Sequence, residues 1–484
     1  MNRPLWACVL CLASPLASAS MLGNLSFSPC TLTSPGAGVP IAAHCAQFEV
    51  PEDRAAPDGR RISLSLAYVS AATAEPEPDP VFFLAGGPGQ SAQESYPALA
   101  DAFSDLLKRR HILLLDQRGT GGSHRLGCAQ VEEGDVADAS IERAAEAARA
   151  CLATLSETAD VRHYTTADAV DDLDAVREAI GATRINLIGV SYGTRVAQQY
   201  LKAHPEAVRS LVLDGVVPDT LVLGQTHARN LEDALERQFA RCTGLPACRD
   251  GLEDPMAHFH SLDAELRRQP RAVHYRDATT GAPAEAVFTH AHLSGLLRMY
   301  AYQPAIAATL PLLLSDLAQG QSDAAMAQAQ MLLSGMDQSM AQGMGLAVMC
   351  SEDADELVPD PADAGTVLGA EFVQAIKAQC AVWPRGRRPA DFREPIAGDT
   401  PVLLLSGEFD PVTPPRYGEE VAEKLRRARH LVLRGQGHNV LGAGCAPKLV
   451  ARFIESLDPA ALDVDCLDRL RATPPFSGRY GWEP

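Results

Sequence analysis

Residues 185–203 read INLIGVSYGTRVAQQYLKA, an apolar run joined to a helix-like segment through a serine between two glycines. The apolar run at 185–190 is typical of a strand that is buried on both faces of a sheet. Ser191 follows it on a turn so tight that side chains larger than glycine would clash at Gly189 and Gly193. The pattern predicts that Ser191 is a nucleophile at the carboxyl edge of a sheet, and a purely structural turn is the alternative.

Short apolar runs of the same kind recur along the chain. They lie at 81–84, 112–115, 211–213, 402–405 and 430–433, and an alternating segment at 61–70 adds a further strand. Helix-like segments such as 141–154 and 167–180 lie between them. Strands that alternate with helices predict an α/β fold, in which a mostly parallel sheet is flanked by helices.

The middle of the chain has a different composition. Residues 220–395 are rich in Ala, Gln, Leu and Met, which favour helices, and they carry few strand signals. Prolines and arginines at 384–395 are typical of a linker that leads back to the sheet. We therefore expect an α/β core built from residues 20–219 and 396–484, with a mainly helical cap inserted between them.

A glycine-rich loop, AGGPG at 85–89, follows one of the apolar runs. Backbone N–H groups on such a turn can point at an oxygen that gains negative charge during a reaction. We expect Gly87, with Gly86 beside it, and Tyr192, the residue after Ser191, to form this oxyanion hole. A plain tight turn is the alternative, whereas a phosphate-binding loop is disfavoured because no G-K-[ST] follows.

Two polar residues follow the two late apolar runs. Asp410 lies in the segment GEFDPVTP, and His438 ends the segment GQGH. The order Ser191, Asp410, His438 is the one used by α/β-hydrolases, in which the imidazole takes the serine proton and the carboxylate orients the imidazole. Asp214 and Glu408 are rival candidates for the acid, and the alternatives are a surface aspartate in a D-P turn and a histidine that caps a loop.

Composition excludes several classes of protein. The chain has 484 residues, with 61 acidic and 42 basic side chains and a formal net charge of −19. Hydrophobic residues make up 46% and charged residues 21%, which excludes a disordered, collagen-like or coiled-coil chain. The acidic balance argues against nucleic acid as a partner, because phosphates need a clustered basic surface.

Residues 1–19 are typical of a secretory signal peptide. A short basic start, an apolar run too short to cross a membrane and the small residues Ala17-Ser18-Ala19 occur in the expected order. Ser20 would then begin the mature protein, and a buried amino-terminal strand or helix is the alternative. Since no other apolar run is long enough to cross a membrane, we expect a secreted or periplasmic protein without a stable membrane anchor.

The cysteines agree with export. Twelve cysteines minus the two within residues 1–19 leave ten, an even number, and in an oxidising compartment they would form disulfides. The sequence leaves the connectivity open, but pairing neighbours along the chain keeps every loop short. This gives Cys30–Cys45, Cys128–Cys151, Cys242–Cys248, Cys350–Cys380 and Cys445–Cys466. Buried free thiols are the alternative, and a zinc site is disfavoured because C-x-x-C occurs only within residues 1–19.

Five segments taken together are more specific than any one of them. They are GGPG at 86–89, DQRGTGGS at 116–123, GVSYGT at 189–194, GEFDPVTP at 407–414, and the Gly437-His438 loop with Cys445 and Cys466 nearby. Over roughly residues 40–470 the chain resembles the proline iminopeptidase and secreted tripeptidyl aminopeptidase branch of the α/β-hydrolases. DQRGTG is the most specific segment, because general esterases rarely carry it.

The resemblance implies an α/β-hydrolase fold with a helical cap, and the removal of residues from free peptide amino termini, often next to proline. It also implies that acidic side chains of the cap bind the substrate's ammonium group. CSED at 350–353 makes Glu352 the candidate for this role, and a solvated carboxylate at a helix end is the alternative. Ala85 departs from the H-G-G-P-G loop of the iminopeptidases, in which a histidine stands at this position.

Three functions remain open at this stage. The first is a secreted serine aminopeptidase, of prolyl or tripeptidyl type, that works through an acyl-enzyme and needs no metal or organic cofactor. The second is a carboxylesterase or related hydrolase that uses the same triad on small esters or amides. The third, a non-catalytic binding protein, is disfavoured by the complete set of serine, acid and histidine. The sequence leaves the oligomeric state and the number of residues released undetermined.

Overall fold

A computed structural model describes residues 20–35, 38–128 and 140–482, and the expected signal peptide at 1–19 lies outside these ranges. Its strands are, in chain order, β1 (Ser20–Leu22), β2 (Leu25–Leu32), β3 (Ile41–Pro51), β4 (Arg61–Val69), β5 (Val81–Leu84), β6 (Ile112–Leu115), β7 (Ile185–Val190), β8 (Val208–Asp214), β9 (Arg271–Arg276), β10 (Pro283–Phe288), β11 (Val402–Gly407) and β12 (Ala428–Leu433).

The α-helices of the described ranges follow the same chain order. They are α1 (Ala92–Leu99), α2 (Ile141–Leu155), α3 (Thr166–Ala179), α4 (Tyr192–Ala203), α5 (His227–Thr243), α6 (Pro246–Leu252), α7 (Pro255–Arg268), α8 (His290–Ala301), α9 (Pro304–Ala307), α10 (Leu310–Ala318), α11 (Asp323–Ser339), α12 (Gln342–Glu352), α13 (Glu371–Cys380), α14 (Pro415–Ala422) and α15 (Ala446–Ser456).

Ten of the strands form one sheet in the order β1-β2-β3-β4-β6-β5-β7-β8-β11-β12. From β6 to β12 every neighbouring pair is parallel, and from β1 to β6 every pair is antiparallel. The predicted α/β fold with a mostly parallel sheet is confirmed. Strands β1 to β3, at one end of the sheet, were not predicted, because their partly exposed, polar residues lack the wholly apolar pattern of the central strands.

Both faces of the sheet are covered, which explains the continuous apolar runs. Phe82 and Phe83 are adjacent on β5, yet one joins the core beneath α2 to α4 and the other joins the core beneath α1 and α15. Leu187 and Ile188 on β7 divide in the same way. Since successive side chains of a strand point to opposite faces, a strand covered on both sides must be apolar throughout.

The insertion between β8 and β11 has an apolar core of its own. Residues such as Phe259, Leu296 and Leu314 pack together in it. In contrast, α12 and α13 pack on the core of the sheet through Met344 and Val373. The cap also contains an antiparallel ribbon, β9–β10, that the sequence analysis did not predict. The alternation of exposed and buried residues along β9 was the available signal.

Five disulfides lie within the described ranges, and each joins two cysteines with no other cysteine between them in the sequence. The structure pairs Cys30 with Cys45, Cys128 with Cys151, Cys242 with Cys248, Cys350 with Cys380, and Cys445 with Cys466. The carboxyl-terminal segment crosses back to the cap, where the amide of Phe476 donates to the carbonyl of Ala308 at 2.8 Å. Within the described ranges, no helix has the length and apolar character that crossing a membrane requires.

Candidate active site

Ser191 stands on a strained turn between β7 and α4. Its backbone has φ 55° and ψ −125°, which places a non-glycine residue at positive φ. A Cβ on Gly189 would lie 2.4 Å from the carbonyl oxygen of Gly193, and a Cβ on Gly193 would lie 2.2 Å from that of Leu84. The turn therefore requires glycine on both sides of the serine, as the sequence pattern indicated.

Hydrogen bonds anchor the backbone around Ser191, whereas its hydroxyl does not cap helix α4. Its amide donates to the carbonyl of Asp214 at 2.8 Å, and its own carbonyl accepts the Thr194 hydroxyl at 2.6 Å. Thr194 in turn accepts the amide of Val217 at 2.8 Å. Within the described part of the chain, Ser191 makes no side-chain capping hydrogen bond to α4, which leaves the hydroxyl for chemistry.

Asp410 is buried in a turn whose groups make hydrogen bonds to both oxygens of its carboxylate. One oxygen accepts the amides of Val412 and Thr413, at 2.9 and 2.8 Å. The other accepts the Thr413 hydroxyl at 2.8 Å and lies 2.8 Å from Nδ1 of His438. These contacts hold the carboxylate in one orientation against the imidazole.

His438 is held on two sides. Its amide donates to the carbonyl of Tyr302 at 2.9 Å, and the two rings make an edge contact with centroids 5.1 Å apart. With Nδ1 facing Asp410, we assign the proton to Nδ1, and Nε2 is then the basic nitrogen. Burial alone would lower the pKa of His438, but the charge and hydrogen bond of Asp410, together with the charge of Asp214, raise it above its ordinary value.

Gly215 lies between the anchor of the Ser191 backbone and the ring of His438. This residue follows Asp214, whose carbonyl holds the Ser191 amide. Gly215 has φ +67°, and a Cβ on it would lie 3.0 Å from Cε1 of His438. The structure thus places Ser191, Asp410 and His438 on loops that follow β7, β11 and β12, with Gly215 on the loop that follows β8, and these four strands are consecutive and parallel in the sheet.

The two rival acids have other contacts. The oxygens of Asp214 accept the amides of Val440 and Leu441, at 2.9 and 2.7 Å. Glu408 accepts the amide of Gly435 at 2.7 Å. Burial raises the pKa of Asp214 to about 6, although its two amide donors oppose this. Both acids therefore hold the backbone of the histidine loop, one on each side of His438.

Gly86 lies beside the serine on the loop after β5, and Gly87 follows it. A Cβ on Gly86 would be 3.0 Å from the Cβ of Ser191, while Tyr192 begins α4 directly after the serine. The cap reaches this loop through its segment before α12, where the amide of Ala341 donates to the carbonyl of Gly89 at 2.9 Å. The backbone that would supply oxyanion donors is thus braced by the cap.

The DQRGTGGS segment has a structural role beneath this loop. The buried carboxylate of Asp116 accepts the Ser91 hydroxyl at 2.6 Å and the amides of Gln93 and Gly122 at 3.1 and 3.0 Å. Arg118 is fully buried and binds Asp172 with two hydrogen bonds, of 2.6 and 2.7 Å. These contacts fix the loops around Ser191 and do not take part in the reaction directly.

Glu352 ends α12 and is completely buried, so it is not the solvated carboxylate of the alternative interpretation. Its oxygens accept the amide and the hydroxyl of Thr166, at 2.6 and 2.9 Å. The Thr166 hydroxyl also lies 2.7 Å from that of Tyr192. Burial raises the pKa of Glu352 to about 7, with Arg195 opposing the shift. Its role in binding a substrate amine stays a prediction.

Sequence reasoning missed several residues of this site. Thr413 contacts both Asp410 and His438, and its position three residues after the aspartate was the available signal. Tyr302, Arg298 and His227 belong to the cap and gave no signal, because only tertiary packing brings them to the imidazole. Among residues 20–35, 38–128 and 140–482, no group of three His, Cys, Asp or Glu side chains is arranged to hold a metal ion.

The chain is similar to several known proteins. A family model described as the alpha/beta hydrolase fold matches residues 79–443. Serine protease Hip1 of Mycobacterium tuberculosis is 26% identical over 467 residues, which cover 89% of this chain and 88% of that protein. Tripeptidyl aminopeptidase of Streptomyces coelicolor is 26% identical over 461 residues, 88% of this chain and 84% of that protein. Proline iminopeptidase of Neisseria gonorrhoeae is 31% identical over 141 residues, 29% of this chain and 34% of that protein.

Proposed function

This chain belongs to the α/β-hydrolase family as a serine hydrolase, and we propose that it is an exported aminopeptidase that cleaves peptides near their free amino terminus. The observation that carries the proposal is the buried 2.8 Å contact between His438 Nδ1 and Asp410, placed beside the strained turn of Ser191. The relatives named serine protease and tripeptidyl aminopeptidase support a peptide substrate.

Acylation begins when Nε2 of His438 removes the proton from the Ser191 hydroxyl. The serine oxygen then attacks the scissile carbonyl carbon, and the carbonyl oxygen gains negative charge. Backbone N–H groups of Gly87 and Tyr192 are the donors we assign to this oxyanion. Asp410 keeps the imidazole in the required tautomer and stabilises the imidazolium that forms.

The imidazolium then gives its proton to the nitrogen of the leaving amine, and the C–N bond breaks. The amino-terminal fragment remains on Ser191 as an ester. A water molecule, deprotonated by Nε2, attacks this ester, and the returning proton restores the Ser191 hydroxyl. The cycle consumes one water per peptide bond and uses groups of this chain alone.

Export is the second part of the proposal. It rests on the signal-like residues 1–19 and on five disulfides, which persist in oxidising compartments. If the natural gene is expressed in its host, amino-terminal sequencing of the protein outside the cytoplasm should begin at Ser20. Recovery of the protein only in the cytoplasm, with Met1 retained, would contradict this part.

One set of assays tests the catalytic proposal. The purified enzyme should hydrolyse tripeptidyl or prolyl arylamides, and acetylation of the substrate's amino group should abolish cleavage. A fluorophosphonate probe should label the wild type and not Ser191→Ala, while Ser156→Ala, which removes an exposed serine, serves as the matched control. Hydrolysis of short acyl esters without any cleavage of arylamides would identify an esterase and overturn the aminopeptidase.

A further inference from the structure

Three cap helices converge beside the catalytic imidazole. Tyr302, just after α8, contacts the His438 ring, and Arg298 lies one helical turn before it. Phe372 of α13 and His227, the first residue of α5, complete the group. We refer to Arg298, Tyr302, Phe372 and His227 as the cap wall.

Arg298 is half-buried and has an aromatic neighbour in place of an acid. Its guanidinium carbon lies 5.1 Å from the centroid of the Phe372 ring. Among the residues that the structure describes, Arg298 has no carboxylate partner, whereas Arg267 on the neighbouring helix α7 pairs with both Asp263 and Glu371. A cation that is partly removed from water and has no carboxylate in direct contact is a favourable site for an anionic ligand.

His227 adds a second polar group to the same place. Its ring stacks against Phe372, with centroids 5.9 Å apart and planes 20° from parallel. Its Nδ1 is buried and has no hydrogen-bond partner among the described residues. Burial, followed by the charges of Arg298 and His438, lowers the pKa of His227 to about 3, so it is neutral in ordinary buffers. An orphaned ring nitrogen of this kind is available to a ligand.

The cap wall lies on the side of the site where the leaving group must be. His438 gives its proton to the leaving nitrogen, so the departing fragment passes directly beside the imidazole. Tyr302 packs against that imidazole, and the charges of both Arg298 and His438 act on His227. A group on the departing fragment therefore meets Arg298 soon after the scissile bond.

We propose that Arg298, with His227 beside it, binds the terminal carboxylate of the leaving fragment, so that short peptides with a free carboxyl terminus are the preferred substrates. This inference rests on the proposed peptidase function. A guanidinium presents paired N–H donors that match a carboxylate, and the aromatic face of Phe372 holds its plane. Longer peptides would place their carboxylate beyond the wall and lose the contact.

The test compares tetra-alanine that carries a free carboxyl terminus with the same peptide amidated at that end. Mass spectrometry identifies the bond cleaved, and kcat/KM is measured for both peptides. The wild type should prefer the free acid by roughly tenfold or more, as expected of a hydrogen bond between charged groups. In Arg298→Gln this ratio should fall to about one, whereas Arg267→Gln, which removes a paired cap arginine, should keep the wild-type ratio.

The other possible outcomes contradict either the carboxylate site alone or the peptidase function as well. Equal kcat/KM of the wild type for both peptides, or a ratio unchanged in Arg298→Gln, would overturn the carboxylate site and leave the peptidase function intact. Cleavage of neither peptide nor arylamides would overturn the peptidase function and this inference together. Thermal unfolding of each variant shows whether it is folded, and the wild-type ratio decides the question even if Arg298→Gln does not fold.

Discussion

The carboxylate of Asp214 holds the loop that carries His438, because its oxygens accept the amides two and three residues beyond the histidine. Asp410 instead contacts the imidazole itself, at 2.8 Å. Two acids on neighbouring strands thus serve one histidine in different ways, through its backbone and through its ring.

Asp410→Asn should lower kcat by on the order of 10³- to 10⁴-fold, because an amide cannot stabilise the imidazolium and favours the wrong tautomer. Asp214→Asn should lower kcat far less, since the loop loses one acceptor and the ring keeps its carboxylate. Its main effect should be on stability, with a loss of ~1–3 kcal/mol for an unsatisfied buried amide. Arylamide hydrolysis and urea unfolding measure the two effects. A larger loss of kcat in Asp214→Asn than in Asp410→Asn would reverse the roles assigned here.

Thr413→Val should reduce kcat by roughly tenfold and leave KM nearly unchanged. Its hydroxyl donates to Asp410 at 2.8 Å and lies 3.2 Å from Nδ1 of His438, so valine removes a contact that orients both groups. Thr413→Ser keeps the hydroxyl and should retain most of the activity. Equal activity of the valine and serine variants would show that the hydroxyl does not position the pair.

The pH dependence should have an acidic limb set by His438. Burial alone would lower the pKa of His438, but Asp410 and Asp214 raise it above 6.5. Catalysis needs the neutral imidazole, so kcat/KM should fall as the pH decreases through this raised pKa. The limb of the free enzyme should therefore have its midpoint above 6.5, and Asp410→Asn should move it to lower pH. A wild-type midpoint below 6.5 would contradict the charge arrangement.

Arg195→Met should destabilise the fold strongly. Arg195, on the helix that follows the serine, and Asp353, at the end of α12, are both fully buried and lie 3.1 Å apart. Removing one member of a buried ion pair costs about 3–5 kcal/mol, because the other charge loses its partner. The remaining Arg393 contact, at 2.9 Å, should limit the loss toward the lower figure. Urea unfolding should show this loss, whereas Arg426→Met, which removes a well-exposed arginine, should leave the free energy of unfolding nearly unchanged.

The central strands and the serine turn could be predicted because their signals are local. A strand covered on both faces must be apolar throughout, and the tight turn at Ser191 needs glycine on either side of the serine. The positions of Asp410 and His438 followed from the same logic, since each comes directly after a late apolar run. Strands β1 to β3 were missed because their polar, partly exposed residues lack a continuous apolar run, and the cap ribbon was missed because its two short strands only alternate exposed and buried residues.

Long-range contacts set the remainder of the site. Nothing near Glu352 in the sequence indicates that its carboxylate is buried and accepts the amide of Thr166, which lies 186 residues earlier. In the sequence Arg298 is indistinguishable from other helical arginines, and only the lack of an ion-pair partner among the described residues sets it apart. These contacts depend on which helices pack against each other, and the hydrophobic periodicity of a single helix carries no information about its packing partner.

The hydrogen bond from Ala341 to Gly89 joins the cap to the glycine-rich loop that would supply the oxyanion donors. If the cap moved away from the sheet, this contact would have to break, and the loop would lose one of its supports. Motion of the cap is therefore coupled to the shape of the proposed oxyanion hole.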